Sequence, residues 1–278
     1  MKQAVPIQTI HLFPVLDEML ISFLASLSTE DWQQSTIAKK WKVRDIATHL
    51  LDGNVRTLSM LRDGHFVAPT NPIHSYPDLV DYLNNLNAEW TKASERLSPT
   101  VILDLLQHTG KQYCTYLATL DPFEEAVFSV AWAGEEKSLN WFHIAREYTE
   151  KFIHQQQIRD AFGDKGLLRK DLFYPFIHTF MQGLPHTFRD VIAEEGTAIK
   201  VSISTEIGGN WYLQKKASKW ELTTDIPQTF AAEISISPDI AWKLFSKGIK
   251  SDEAKPLVEI KGNQELGERV LNMVSVMA

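Results

Sequence analysis

Apolar residues recur at helical spacing through the first 165 positions. Over 13–27 the stripe is Val15, Leu16, Met19, Leu20, Phe23 and Leu24, the period of one buried helix face. Over 43–62 it continues with Val43, Ile46, Ala47, Leu50, Leu51, Val55, Leu58 and Leu61, and Gly64 supplies the stop. Proline and turn-forming residues fill 69–77. A third stripe over 78–97 carries Leu79, Tyr82, Leu83, Leu86 and Trp90, and Ser98-Pro99-Thr100 opens a fourth helix at 101–120. A looser stretch, 121–136, precedes a long helix over 139–162 that ends at Gly163. Long amphipathic helices with modest connections predict a helical bundle.

After about residue 165 the pattern changes. Positions 172–191 still read as helix, with Pro185 expected to break or kink it. Then the period drops to two. Ile199, Val201 and Ile203 alternate with polar neighbours, and Gly208-Gly209-Asn210 reads as a hairpin turn. Strands are expected at 211–214, 220–223, 230–236 and 257–260. Ser237-Pro238-Asp239 opens a helix, and 264–276 reads as a final one. The expectation is therefore a bundle over 1–165 and a small α+β domain over 166–278.

Composition narrows the function. The net charge is −7 and no basic block stands out, which argues against a nucleic-acid partner. Cys114 is the single cysteine, so no intrachain disulfide can form, and the chain suits a reducing compartment. Asp17 and Glu18 interrupt the apolar N-terminal stretch, so no signal peptide is read, and no apolar run is long enough for a membrane span. Cytoplasmic location is the expectation.

The chemistry concentrates on the helix over 139–162. Glu150 and His154 are four residues apart, which leaves them only about 40° apart around the helix. Their tips can meet on one ion, and His49 from another helix could complete a His-Glu-His set with one position open, as in a catalytic zinc site. Such mixed donors also suit nickel, manganese or iron. The pair is equally the spacing of an ordinary solvated helix contact, and His49, beside Ile46 and Leu50, could be a core histidine. Glu147 is the rival carboxylate, but seven residues place it about 10 Å from His154 along the axis. His143 shares roughly the same face, three turns away.

Trp41-Lys42-Val43-Arg44-Asp45-Ile46-Ala47-Thr48-His49-Leu50 fits the pattern W-x-V-R-D-x-x-x-H-L, and the second histidine follows in Glu150 to His154, with Ile158-Arg159-Asp160-Ala161-Phe162-Gly163 after it. Leu184-Pro185, Phe188-Arg189-Asp190, Gly208-Gly209-Asn210-Trp211, Ala241-Trp242-Lys243-Leu244 and Ile260-Lys261-Gly262-Asn263 complete the series. In these motifs and their order the chain resembles the mycothiol-dependent maleylpyruvate isomerase family of the DinB-like superfamily. The resemblance implies a DinB-like up-and-down four-helix bundle followed by a sterol-carrier-like α+β domain. It implies that His49, Glu150 and His154 bind a divalent metal, zinc first, and that a mycothiol-like low-molecular-weight thiol takes the open position. Asp45 and Asp52, one turn either side of His49, are candidates to orient its ring, or plain surface acids.

Two positions depart from the family pattern. Gln157 stands where many members carry Asp, and Lys243 where many carry Arg. Lysine keeps the charge but not the carboxylate-matching fork, so the substrate need not be the family's dicarboxylate. The expected function is a thiol-dependent isomerase or S-transferase acting on a small electrophile. The alternatives are a metal-dependent hydrolase, with Glu147 or His143 as base, and a non-enzymatic stress protein sheltering an apolar ligand.

Overall fold

The computed structural model describes residues 3–69 and 72–276; residues 70 and 71 of the expected turn segment lie outside the described residues. The chain opens with α1 (Phe13–Ala25), whose Leu16, Leu20 and Leu24 are buried one turn apart. α2 (Val43–Thr57) runs on through one π-helical turn at Leu58–Arg62. α3 (Tyr76–Ser94) and α4 (Pro99–Leu117) both start on a serine cap and a proline in the first turn: Ser75 Oγ accepts from Asp78 N and Ser98 Oγ from Val101 N. α5 (Asn140–Asp160) is buried on several faces, because α1, α2 and α6 (Lys170–Met181) all pack against it.

Cross-helix bonds give the directions. Asn54 Nδ2 donates to Thr109 Oγ1 at 3.0 Å and Arg62 Nη1 to Gln112 Oε1 at 2.6 Å, so α2 and α4 run the same way. Lys151 Nζ meets Asp17 Oδ1 at 3.4 Å and Arg159 Nη2 donates to Met19 O at 2.9 Å, so α1 and α5 also run together. Helix α3 lies outside against α2 and runs the opposite way, since Trp90 meets Thr48 and Arg44 meets Ser94. Lys151 against Asn54 and His154 against His49 set α5 antiparallel to α2. Successive helices from α1 to α5 therefore reverse direction, as the up-and-down expectation requires.

Pro185 does not break a long helix. α6 ends at Met181, and Pro185 sits in the first turn of the short α7 (Leu184–Thr187), where its missing N–H costs nothing. It is Pro175 that lies inside α6. The second half holds β1 (Ala198–Ile203), β2 (Gly209–Lys215), β3 (Trp220–Thr223) and β4 (Ala232–Ile236). α8 (Pro238–Phe245), α9 (Ser251–Ala254), β5 (Glu259–Gly262) and α10 (Gln264–Val270) follow. The sheet order is β3-β2-β1-β4-β5, with β1 and β4 parallel and the other pairs antiparallel. The β1–β2 turn falls at 204–208, earlier than the sequence suggested, with Gly209 and Asn210 already in β2. Gly208 is required there, since a Cβ would stand 2.0 Å from Ile203 O.

One hydrophobic cluster joins the lower bundle to the sheet: Phe152 of α5, Phe173, Phe176 and Phe180 of α6, the inward Ile199, Val201 and Ile203, and Trp242 and Phe245 of α8. A second fills the other end of the bundle around Leu20, Leu24, Trp32, Val43, Ile46, Leu50 and Ile158. Among the described residues no helix is long and apolar enough to cross a membrane.

Candidate metal centre

The segment before α2 doubles back on itself. Thr36 Oγ1 donates to Trp41 O at 2.8 Å, Val43 N to Gln34 O at 3.0 Å, and Asp45 Oδ2 caps the helix by accepting from Lys42 N at 2.9 Å. This folding sets the Trp41 ring against His49, with centroids 4.7 Å apart, and within 5.9 Å of His154. The helix turns then bring His49 on α2 opposite Glu150 and His154 on α5. The two imidazoles lie 4.6 Å apart at 74°, and His154 Nε2 is 3.4 Å from Glu150 Oε2. One ligand atom from each of the three falls within 4.8 Å of the others.

The donor set suits a divalent ion. Metal–ligand bonds of about 2.0–2.1 Å in a tetrahedron put donors about 3.3 Å apart, close to the His154–Glu150 distance. Gln157 Oε1 lies 2.9 Å from His154 Nδ1; an amide oxygen only accepts, so Nδ1 is the donor in this contact and Nε2 is the nitrogen turned toward Glu150. His49 is held well below the usual imidazole range, first by burial, then by His154 and Arg56, with Asn87 opposing. It is therefore neutral at physiological pH, the form that binds metal.

The other residues singled out from sequence lie elsewhere. Asp45 is engaged in the α2 cap. Asp52 pairs with Arg56 at 3.1 Å, and burial raises its carboxyl pKa while Arg56 opposes. Glu147 and His143 sit farther down α5 in a buried cluster. There Tyr113 Oη donates to Glu147 Oε2 at 2.6 Å, and Arg146 Nη2 lies 2.7 Å from Glu147 Oε1 and 2.9 Å from His143 Nδ1. Lys243 bridges Asp160 of α5 at 3.1 Å and Asp239 at 2.9 Å, tying α8 to the end of α5.

Sequence reasoning missed two residues at the centre. Trp41 stood inside the recognised motif without a role. Asn87, on α3, had no spacing signal, because only the packing of α3 on α2 brings it to His49; Trp90 Nε1 donating to Thr48 O at 2.8 Å is the bond that seats α3 there.

No curated protein sequence matches the chain. Among solved structures, a histidine-to-alanine mutant of the mycothiol-dependent maleylpyruvate isomerase superposes with a TM-score of 0.54 at 10% identity, covering 86% of this chain and 88% of that one. A second structure of that isomerase gives 0.51 at 11% identity, covering 84% and 86%. At such identity the likeness is one of fold. The family model described as the mycothiol maleylpyruvate isomerase N-terminal domain matches residues 14–159, more than half of the chain and inclusive of all three converging residues. The chain belongs to the mycothiol maleylpyruvate isomerase N-terminal domain family.

Proposed function

We propose that His49, Glu150 and His154 hold one divalent metal, zinc first, and that the protein is a cytoplasmic, thiol-dependent enzyme of small-molecule metabolism. The reaction is isomerisation of, or sulfur transfer to, a small electrophile. The site belongs to the first of two domains, 1–165 and 166–278. The observation that carries the reading is the convergence of the three ligand atoms within 4.8 Å, inside the segment that matches the family. A bound divalent cation supplies stabilisation of a thiolate at neutral pH. The chain's own residues do the rest. Glu150 contributes the one carboxylate, burial keeps His49 neutral, and Trp41 stands as an apolar wall over both rings.

The rival readings find less support. A hydrolase needs a free base beside the ion, whereas Glu147 and His143 are already bonded to Tyr113 and Arg146. A lipid shelter needs interior space in the sheet domain, whose inner side is filled by Phe176, Phe180, Trp242 and Phe245.

Elemental analysis of the purified chain tests the site. About one equivalent of divalent metal is expected, largely lost in His154→Ala. Full retention in the Glu150→Ala, His154→Ala double variant would sink the assignment. A thermal-shift series of bacterial thiols on the metal-loaded protein tests the cofactor class. A thiol at a hundred times its Kd adds about 2.7 kcal/mol to stability, and no shift with any thiol, alongside full metal occupancy, removes the thiol and keeps the metal.

A further inference from the structure

One histidine of the centre is backed by a carboxamide. Gln157, three residues after His154 on the same face of α5 and nearly fully buried, places Oε1 2.9 Å from Nδ1 of that ring. The carboxamide carries no charge. A carboxylate in its place would orient the ring equally well and would also cancel positive charge at the site.

Resting on the metal reading above, we infer that Gln157 is a positioning residue that fixes the His154 imidazole as a metal donor while leaving the centre net positive, so that its open position selects an anionic ligand. With Glu150 as the only carboxylate on a divalent ion, one positive charge stays uncompensated. A thiolate neutralises it and a neutral thiol does not. The carboxamide thus sets two properties in opposite directions: the metal is held less tightly than with a carboxylate behind the ring, and the anion at the open position is held more tightly.

The test uses the full chain with Zn²⁺ alone, titrated against a chromogenic chelator, and azide as the anionic probe on the Co²⁺-loaded protein, read by its visible absorption. Gln157→Ala is expected to weaken Zn²⁺ binding by about 10- to 100-fold. Gln157→Glu is expected to restore or tighten Zn²⁺ binding and to weaken azide binding; that rescue separates positioning from misfolding. Nitrogen-15 NMR of the metal-free protein reads the tautomer directly, with His154 protonated at Nδ1 in the wild type and the preference lost in Gln157→Ala. Wild-type Zn²⁺ affinity with an unchanged tautomer in Gln157→Ala, or unchanged azide affinity in Gln157→Glu, would overturn the inference. A wild-type chain that binds no Zn²⁺ would instead overturn the metal reading, while the tautomer measurement still judges Gln157.

Discussion

Phe176→Ala is expected to lower the unfolding free energy by about 3–5 kcal/mol, the cost of emptying a large, fully packed aromatic site. The side chain has no solvent exposure. Its ring stacks on Phe152 of α5 with centroids 4.3 Å apart at 18°, and meets Phe180 at 4.5 Å. These contacts are the seam between bundle and sheet, so the loss registers in both halves. Urea unfolding followed by far-UV circular dichroism and by tryptophan fluorescence measures it. The matched control is Ile192→Ala, at a residue 98% exposed, which should stay within about 0.5 kcal/mol of wild type. A Phe176→Ala loss below about 1 kcal/mol would show that the seam is not packed as described.

Arg146→Met is the second large effect, expected to cost about 3–5 kcal/mol at pH 7 because it strips a buried carboxylate of its cation. Burial alone would raise the Glu147 carboxyl; Arg146 and His143, with hydrogen bonds from Tyr113 and Arg146, outweigh it and hold the group at about 2, below the ordinary 4.5. A carboxyl held low in the folded state stabilises the fold fully above pH 4.5, and that contribution fades as pH falls toward 2. His143 is held at about 4, below the ordinary 6.5, first by burial and then by Arg146, with Glu147 opposing. The unfolded chain therefore takes up this proton first, and stability drops as pH falls from 6.5 to 4. Each shift is worth on the order of 3 kcal/mol. The wild type should thus lose stability in two successive acid steps. In Arg146→Met the penalty should shrink on acidification, because a protonated Glu147 no longer needs a cation. Denaturant midpoints between pH 7 and pH 3 decide it; a penalty that stays constant across that range contradicts the assignment.

The helices and the shared face of Glu150 and His154 were legible because both rest on local periodicity. Leu16, Leu20 and Leu24 declare a buried face by spacing alone, and Glu150 and His154 declare a shared one. The partners of α5 were not legible. Lys151, Arg146 and Glu147 look like solvated charges in sequence, yet Lys151 Nζ donates to Asn54 Oδ1 at 2.5 Å, nearly a hundred residues away. The same limit hid the parallel pairing of β1 with β4. It depends on how the chain returns between elements, which no window of neighbouring residues encodes. Gln157 lay between these cases: the motif marked it as unusual, and only the bond to His154 Nδ1 showed what it touches.

Helix α3 joins the two kinds of information. Among its described residues only Ser94 is buried. Its hold on α2 rests on Trp90 Nε1 to Thr48 O at 2.8 Å and on Arg44 Nη2, which donates to Ser94 O at 3.1 Å and Leu97 O at 3.4 Å. A helix with so little apolar anchorage opens at a far smaller free energy than the core it leans on. His49 and His154 sit instead on α2 and α5, whose Ile46, Leu50 and Ile158 share the packed core. Local opening of α3 therefore leaves both ring-bearing helices in place and would uncover the bundle on the α2 side alone.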